Sequence, residues 1–169
     1  HFAQLATLRL HALQFRNVVG SESTRLSGEV SAGRVPTAAI IRDVTQLRGA
    51  DQQLWTHIEH DIGHLNNAAL NAALDKVRQA YFKDFRPLMD AIVEAAQQNQ
   101  LPAFTMEHYT QQAVPALDSI IEMVDGLDQA ISDYAALQLQ RAQRLLAGAL
   151  IGLTLTLLLA FALTLLTLA

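Results

Sequence analysis

The feature that most limits how this chain can fold is the point at which its charge stops. All 12 Lys and Arg and all 16 Asp and Glu lie at or before Arg144, and from Leu145 to Ala169 only Leu, Ala, Ile, Phe, Thr and Gly occur. As a helix, that stretch reaches roughly 37 Å, enough to cross a hydrocarbon core with some tilt. A buried helix of a water-soluble protein rarely stays apolar all round for so long. The expectation is a transmembrane helix over residues 145–169, preceded by a water-exposed domain over residues 1–144. A signal peptide would lie at the other end and be shorter. The opening residues His1-Phe2-Ala3-Gln4-Leu5 carry no initiator Met and already show helical spacing. They read as the middle of something longer, with a first membrane span expected before His1.

Net charge is −4 and there is no Cys. The mild acidity gives no support for a nucleic-acid partner, which would call for a basic patch. Without Cys there are no disulfides, thiolate nucleophiles or Cys-based metal sites.

Strand signals are nearly absent and helical periodicity runs almost everywhere. A first helix is expected from Phe2 to about Glu29, ending in the turn Ser31-Ala32-Gly33-Arg34-Val35-Pro36. A second carries Ile40, Val44, Leu47, Asp51, Leu54, Ile58, Asp61 and Leu65 at alternating spacings of four and three, the seam of a coiled-coil-like bundle. Gly63 and Asn66-Asn67 mark its end. A third, from about Ala68 to Gln98, places Leu70, Leu74, Val77, Tyr81, Phe85, Leu88 and Ile92 on one side, and Pro87 inside it should kink it. Thr105 suits the N-cap of a fourth helix, with Glu107 in its first turn. Pro115 either bends that helix or sets off a short opening turn. Its seam continues through Leu117, Ile120, Val124, Leu127, Ile131 and Tyr134, and no break separates Tyr134 from Leu145. The fold expected is all-α: an antiparallel four-helix bundle whose last helix runs on into the membrane.

Two stretches carry a family resemblance. Tyr81-Phe82-Lys83-Asp84-Phe85-Arg86-Pro87-Leu88-Met89-Asp90-Ala91 resembles the third helix of sensor domains in bacterial transmembrane receptors, and Pro115-Ala116-Leu117-Asp118-Ser119-Ile120-Ile121 is similar to the opening of their fourth. Such receptors include chemoreceptors, histidine kinases and membrane-bound diguanylate cyclases. The resemblance covers roughly residues 33–169. It implies a periplasmic four-helix sensor anchored in the inner membrane by two spans, a homodimer, and a cytoplasmic output module outside this chain. The Arg-Met-Leu-Ser-Gln-Arg type of signature of one nitrate-linked group is missing, so nitrate is one option among several. Arg141 and Arg144 precede the apolar stretch, and the positive-inside rule alone would set them in the cytoplasm; the resemblance places them outside.

Asp51 and Asp61 fall on the seam of the second helix, where a carboxylate costs several kcal/mol unless paired. Arg25, Arg42, Arg48, Arg78 or Arg86 could supply the partner. One reading is a buried ion pair or a partly wet seam. The other is a ligand pocket between helices, with Arg48, Asp51, Trp55, Tyr81 and Arg86 around a small molecule, an anionic one if Arg48 or Arg86 grips it through paired hydrogen bonds. His57, His60, Asp61 and His64 lie within about 100° on one helical face and could hold a divalent transition metal. Against that, bundle metal sites usually draw ligands from facing helices, and a polar flank or a pH-sensitive stripe explains the residues equally. Gly148-x-x-x-Gly152 could bring two spans together. No cofactor is expected, and no nucleophile-plus-base pair or phosphate loop is visible. The functional expectation is ligand sensing and signal relay by a non-enzymatic domain. The alternatives are a membrane-anchored helical scaffold or a metal-binding helical bundle.

Overall fold

A computed structural model describes the backbone of residues 2–168 and their side chains except at positions 157 and 159–168. The described residues are all-helical, without strands. Helix α1 is Phe2–Ser31 and α2 is Ala38–Leu65. Helix α3 spans residues 68–97 as three contiguous stretches, Ala68–Val77, Arg78–Phe85 and Arg86–Gln97, and α4 is Met106–Leu168. By compactness the chain divides into two units, His1–Ala130 and Ile131–Ala169.

Local chemistry sets these boundaries. Thr37 caps α2 by accepting from the Ile40 amide. Asn66 then ends α2 in the left-handed region at φ 50°, where Asn is among the few tolerated side chains. Its neighbour Asn67 starts α3 at once, its side-chain oxygen accepting from the Ala69 and Leu70 amides at 3.0 and 3.2 Å. Two helices thus meet with two Asn residues between them, one closing and one opening. Thr105 caps α4 as expected, accepting from the His108 amide at 3.3 Å. Pro115 lies within α4 and is exposed.

The effect of Pro87 differs in kind from the expected kink. Proline has no N–H to offer the carbonyl four residues back, and the chain responds one turn earlier: Arg78–Phe85 is π-helical, and the Arg86 amide reaches the Tyr81 carbonyl five residues back. The wider turn displaces the buried stripe. After Tyr81 and Phe85 it continues through Met89 and Ile92, all with 0% exposure, while Leu88 is half-buried. A similar drift appears on α2, where Trp55 and Ile62 are buried and Leu54 and Asp61 lie at the margin.

In the first unit the four helices form a bundle around one core. On α1 the buried stripe is Leu5, Leu8, Ala12, Phe15, Val19, Glu22 and Leu26, and on α4 it includes Tyr109, Ala113, Ala116, Ile120, Met123 and Leu127. Burying each large side chain contributes about 1.5–3 kcal/mol. Gly49 sits in the exposed middle of α2, and a Cβ there would meet nothing within 4 Å. Gly49→Ala is therefore expected to stabilise the chain by about 0.5–1 kcal/mol through helix propensity, read as a higher denaturation midpoint; a lower midpoint would contradict the geometry.

The second unit is helical throughout its described backbone. Leu145, Leu146, Leu150, Ile151, Leu153, Leu155 and Leu158 are all more than half exposed. Among the described residues no helix is long and apolar enough to cross a membrane. Of the 25 positions of the span expected over residues 145–169, 12 (157 and 159–169) have side chains outside those described.

Candidate functional site

The five residues expected to surround a ligand are brought together at the level of the π stretch. Asp51 is fully buried and its Oδ2 accepts from the Tyr81 hydroxyl at 2.6 Å and from Arg86 Nη1 at 2.7 Å. The same guanidinium donates to the Tyr81 oxygen at 3.2 Å and lies 5.8 Å from the centre of its ring. Trp55 packs beneath, its ring 5.6 Å from Phe15 and 4.7 Å from Phe82; Phe82 in turn lies 4.7 Å from Tyr81. Because a π-helical turn holds more residues, Tyr81 and Phe82 both reach this cluster from consecutive positions.

Arg48 joins through residues the sequence reading passed over. Its Nε donates to Glu22 Oε1 at 2.7 Å and its Nη1 lies 2.7 Å from Asp90 Oδ1. Glu22 could have been found by the rule that singled out Asp51. It stands on the α1 stripe of Phe15, Val19 and Leu26, a carboxylate at an apolar position. Asp90 gave no such signal, since only the fold turns it toward Arg48. A second polar contact flanks the network: the Tyr109 hydroxyl bonds Ser23 Oγ at 3.0 Å.

Both candidate anion-gripping arginines are thus occupied by the protein's own carboxylates, the buried-pair reading of the seam. Asp51, not Asp61, is the buried seam carboxylate. Of the other arginines considered as partners, Arg25 pairs with Asp43, and Arg78 with Glu59 and Asp75.

The histidine group does not converge. His57 turns toward His11 on α1, the rings 5.7 Å apart, while His60 and His64 pair edge to face at 4.5 Å. Among the described residues no group of three ligands could hold a metal ion. The candidate set His57, His60, Asp61 and His64 shares a helical face in sequence, but its side chains part toward different neighbours.

Burial dominates the electrostatics. It raises the pKa of Asp51 above the ordinary carboxylate value, against the lowering effects of the Tyr81 hydrogen bond and of Arg86 and Arg48. It raises Glu22 likewise, opposed mainly by Arg48. Burial also lifts Tyr81, reinforced by the charge of Asp51, and pushes Tyr109 up to about 12. For Arg86, burial works against the charge, and Tyr81, Asp51 and Glu22 together outweigh it, so the guanidinium stays charged.

A pH dependence follows. The folded chain holds protons on Glu22 and Asp51 more tightly than the unfolded chain does. Their contribution to stability is present in full below the unfolded carboxylate range and is lost as pH rises through the raised folded values. From about pH 5 upward, unfolding free energy is expected to fall, with a slope of up to about 1.4 kcal/mol per pH unit for each proton concerned. Urea titrations at a series of pH values would show it, and Glu22→Gln should flatten the profile. Stability that rises over the same interval would contradict this.

No family model, curated protein or solved structure matches the chain.

Proposed function

We propose that this chain is the extracytoplasmic, ligand-sensing part of a bacterial membrane signal-transduction receptor, a homodimer seated in the inner membrane with its bundle in the periplasm. The observation that carries the reading is the reach of α4. The helix that supplies Ile120, Met123 and Leu127 to the core is helical without a break through residues 134–145 and on into the charge-free stretch. A simple anchor would be served equally by a flexible linker, whereas a relay needs an uninterrupted element. Helix shifts of about 1–2 Å are a common means of such switching.

An antiparallel arrangement is part of the reading. Its support is that partner numbers rise on one helix as they fall on the next. Arg25 meets Asp43 while Phe15 meets Trp55; Glu59 meets Arg78 while Arg48 meets Asp90; Lys76 meets Glu122 while Phe85 meets Tyr109. The transmembrane helix over residues 145–169 is supported by composition, since no charged residue follows Arg144.

The ligand site in this reading is the network of Arg48, Asp51, Trp55, Tyr81 and Arg86. A small anion would compete with Glu22 and Asp51 for the two guanidiniums, and binding would favour whichever packing frees them. A thermal-shift screen of the chain in detergent against small anions, amino acids and metal ions tests the sensing half. A hit lost in Arg48→Gln supports it, and no stabilising compound removes it. Reporter fusions at His1 and after Ala169 test the orientation; a periplasmic report at His1 and a cytoplasmic one after Ala169 are expected, and a periplasmic end after Ala169 would overturn it.

A further inference from the structure

Along one edge of the interface between α1 and α2, side chains meet in a register that repeats. Arg25 pairs with Asp43. One heptad back on α1 and one forward on α2, Val18 and Ala50 line the same groove as His57. A further heptad brings His11 to His57, their ring centres 5.7 Å apart and their planes tilted by 35°. A heptad step returns a residue to the same side of such a helix, so the three pairs stand in one row. The core fixes the backbone beneath the last of them. Ala12 and Ile58, next in sequence to the two histidines, have 0% exposure, and Phe15 lies 5.6 Å from Trp55 one turn away.

Two imidazoles at this spacing suit a shared metal ion. A zinc–nitrogen bond of about 2.1 Å sets each ring centre roughly 3.2 Å from the ion. Two rings on one ion then have centres between about 4.5 Å apart, at a right angle, and about 6.4 Å, when opposed. The observed 5.7 Å falls inside that range. A second observation points the same way: His11 Nδ1 is buried and has no hydrogen-bond partner among the described residues. A ring nitrogen in that state lacks what an ion supplies, a partner for its lone pair. His57 is exposed and His11 half-buried, which gives an ion a way in from solvent.

We propose that His11 and His57 form a two-imidazole site for a divalent late first-row cation (zinc, nickel or copper) that staples α1 to α2. Nitrogen donors select these ions over magnesium and calcium, which take oxygen. Two protein ligands leave the remaining positions to water, as in open sites. The groove of about 470 Å³ that His57 lines beside Gln14 and Gln53 has room for it. Among the described residues no third side chain completes a closed cage, so the ion exchanges with solvent. One ligand comes from each of two facing helices, the way bundles build metal sites. His60 and His64, 4.5 Å apart on α2 alone, are the rival pair. An ion held by His11 and His57 binds only while α1 and α2 are packed, and so stabilises the fold. The site goes beyond the receptor reading and does not need it.

The experiment is calorimetric titration of the whole chain, free of any polyhistidine tag and in detergent micelles, with zinc, nickel and magnesium chlorides, together with thermal unfolding in each salt. Wild type is compared with His11→Gln, His57→Gln and His60→Gln. Expected are binding of about one zinc or nickel ion per chain, a higher Tm with either ion, and neither effect with magnesium. Both effects should vanish in His11→Gln and in His57→Gln and survive in His60→Gln. No binding by the wild type would overturn the proposal, as would binding retained in a folded His11→Gln or His57→Gln chain. Loss in His60→Gln would move the ion to α2 alone and overturn it equally. Should His11→Gln fail to fold, the exposed His57→Gln and His60→Gln decide between the two pairs.

Discussion

Replacing Arg86 with leucine is expected to cost about 3–5 kcal/mol, because it strips the charge partner from a carboxylate that cannot reach water. Arg86 Nη1 lies 2.7 Å from Asp51 Oδ2, and Asp51 has no exposed surface. The Tyr81 hydroxyl would remain, but one neutral donor does not offset a buried negative charge. The loss should be largely relieved in the double variant Arg86→Leu, Asp51→Asn, since a neutral amide keeps an oxygen for Tyr81 and removes the stranded charge. Urea denaturation of wild type, both single variants and the double variant measures the coupling. A double variant as unstable as the sum of the singles would mean that the two side chains do not act together.

The second large effect belongs to Phe15→Ala, at about 3–5 kcal/mol. Phe15 has 0% exposure and its ring lies 5.5 Å from Tyr81, edge-on, and 5.6 Å from Trp55. Truncation leaves a void that these rings can fill only by leaving positions fixed by other contacts: Tyr81 by its bond to Asp51, Trp55 by its packing on Phe82. Poor collapse puts the cost toward the upper end. Phe2→Ala is the internal control, since Phe2 is 52% exposed, and its midpoint should move little. Equal effects at the two positions would contradict the placement of the core.

How much of this was legible beforehand depends on which physical rule governs each part. Helix number and ends were readable because they rest on local chemistry: the Asn66-Asn67 pair, Thr37 and Thr105 act on backbone groups within a few residues. The clustering of Arg48, Asp51, Trp55, Tyr81 and Arg86 was readable because a charge on an apolar stripe demands a partner and few partners existed. Glu22 obeyed the same rule on α1 but went unread, as that helix offered no motif. Leu88 and Asp61 were assigned to the core by strict alternation of fours and threes, and a π turn or a slow drift of the stripe does not respect that spacing. The histidines show a different limit. Sequence spacing puts His57, His60 and His64 on one face, yet ring direction depends on neighbours such as His11 that only the fold supplies.

The eight π-helical residues before Arg86 have a consequence for how the interior can be edited from outside. Pro87 faces solvent and touches none of the charges at the centre, yet its missing amide is what favours a turn with one residue too many. Given an amide at that position, α3 gains the option of an ordinary winding, which would rotate Tyr81 and everything before it by about a quarter turn relative to Arg86. The tyrosine and the arginine that now share one carboxylate oxygen would then point to different neighbours. A surface position can in this way decide which atoms meet at the centre without contacting any of them.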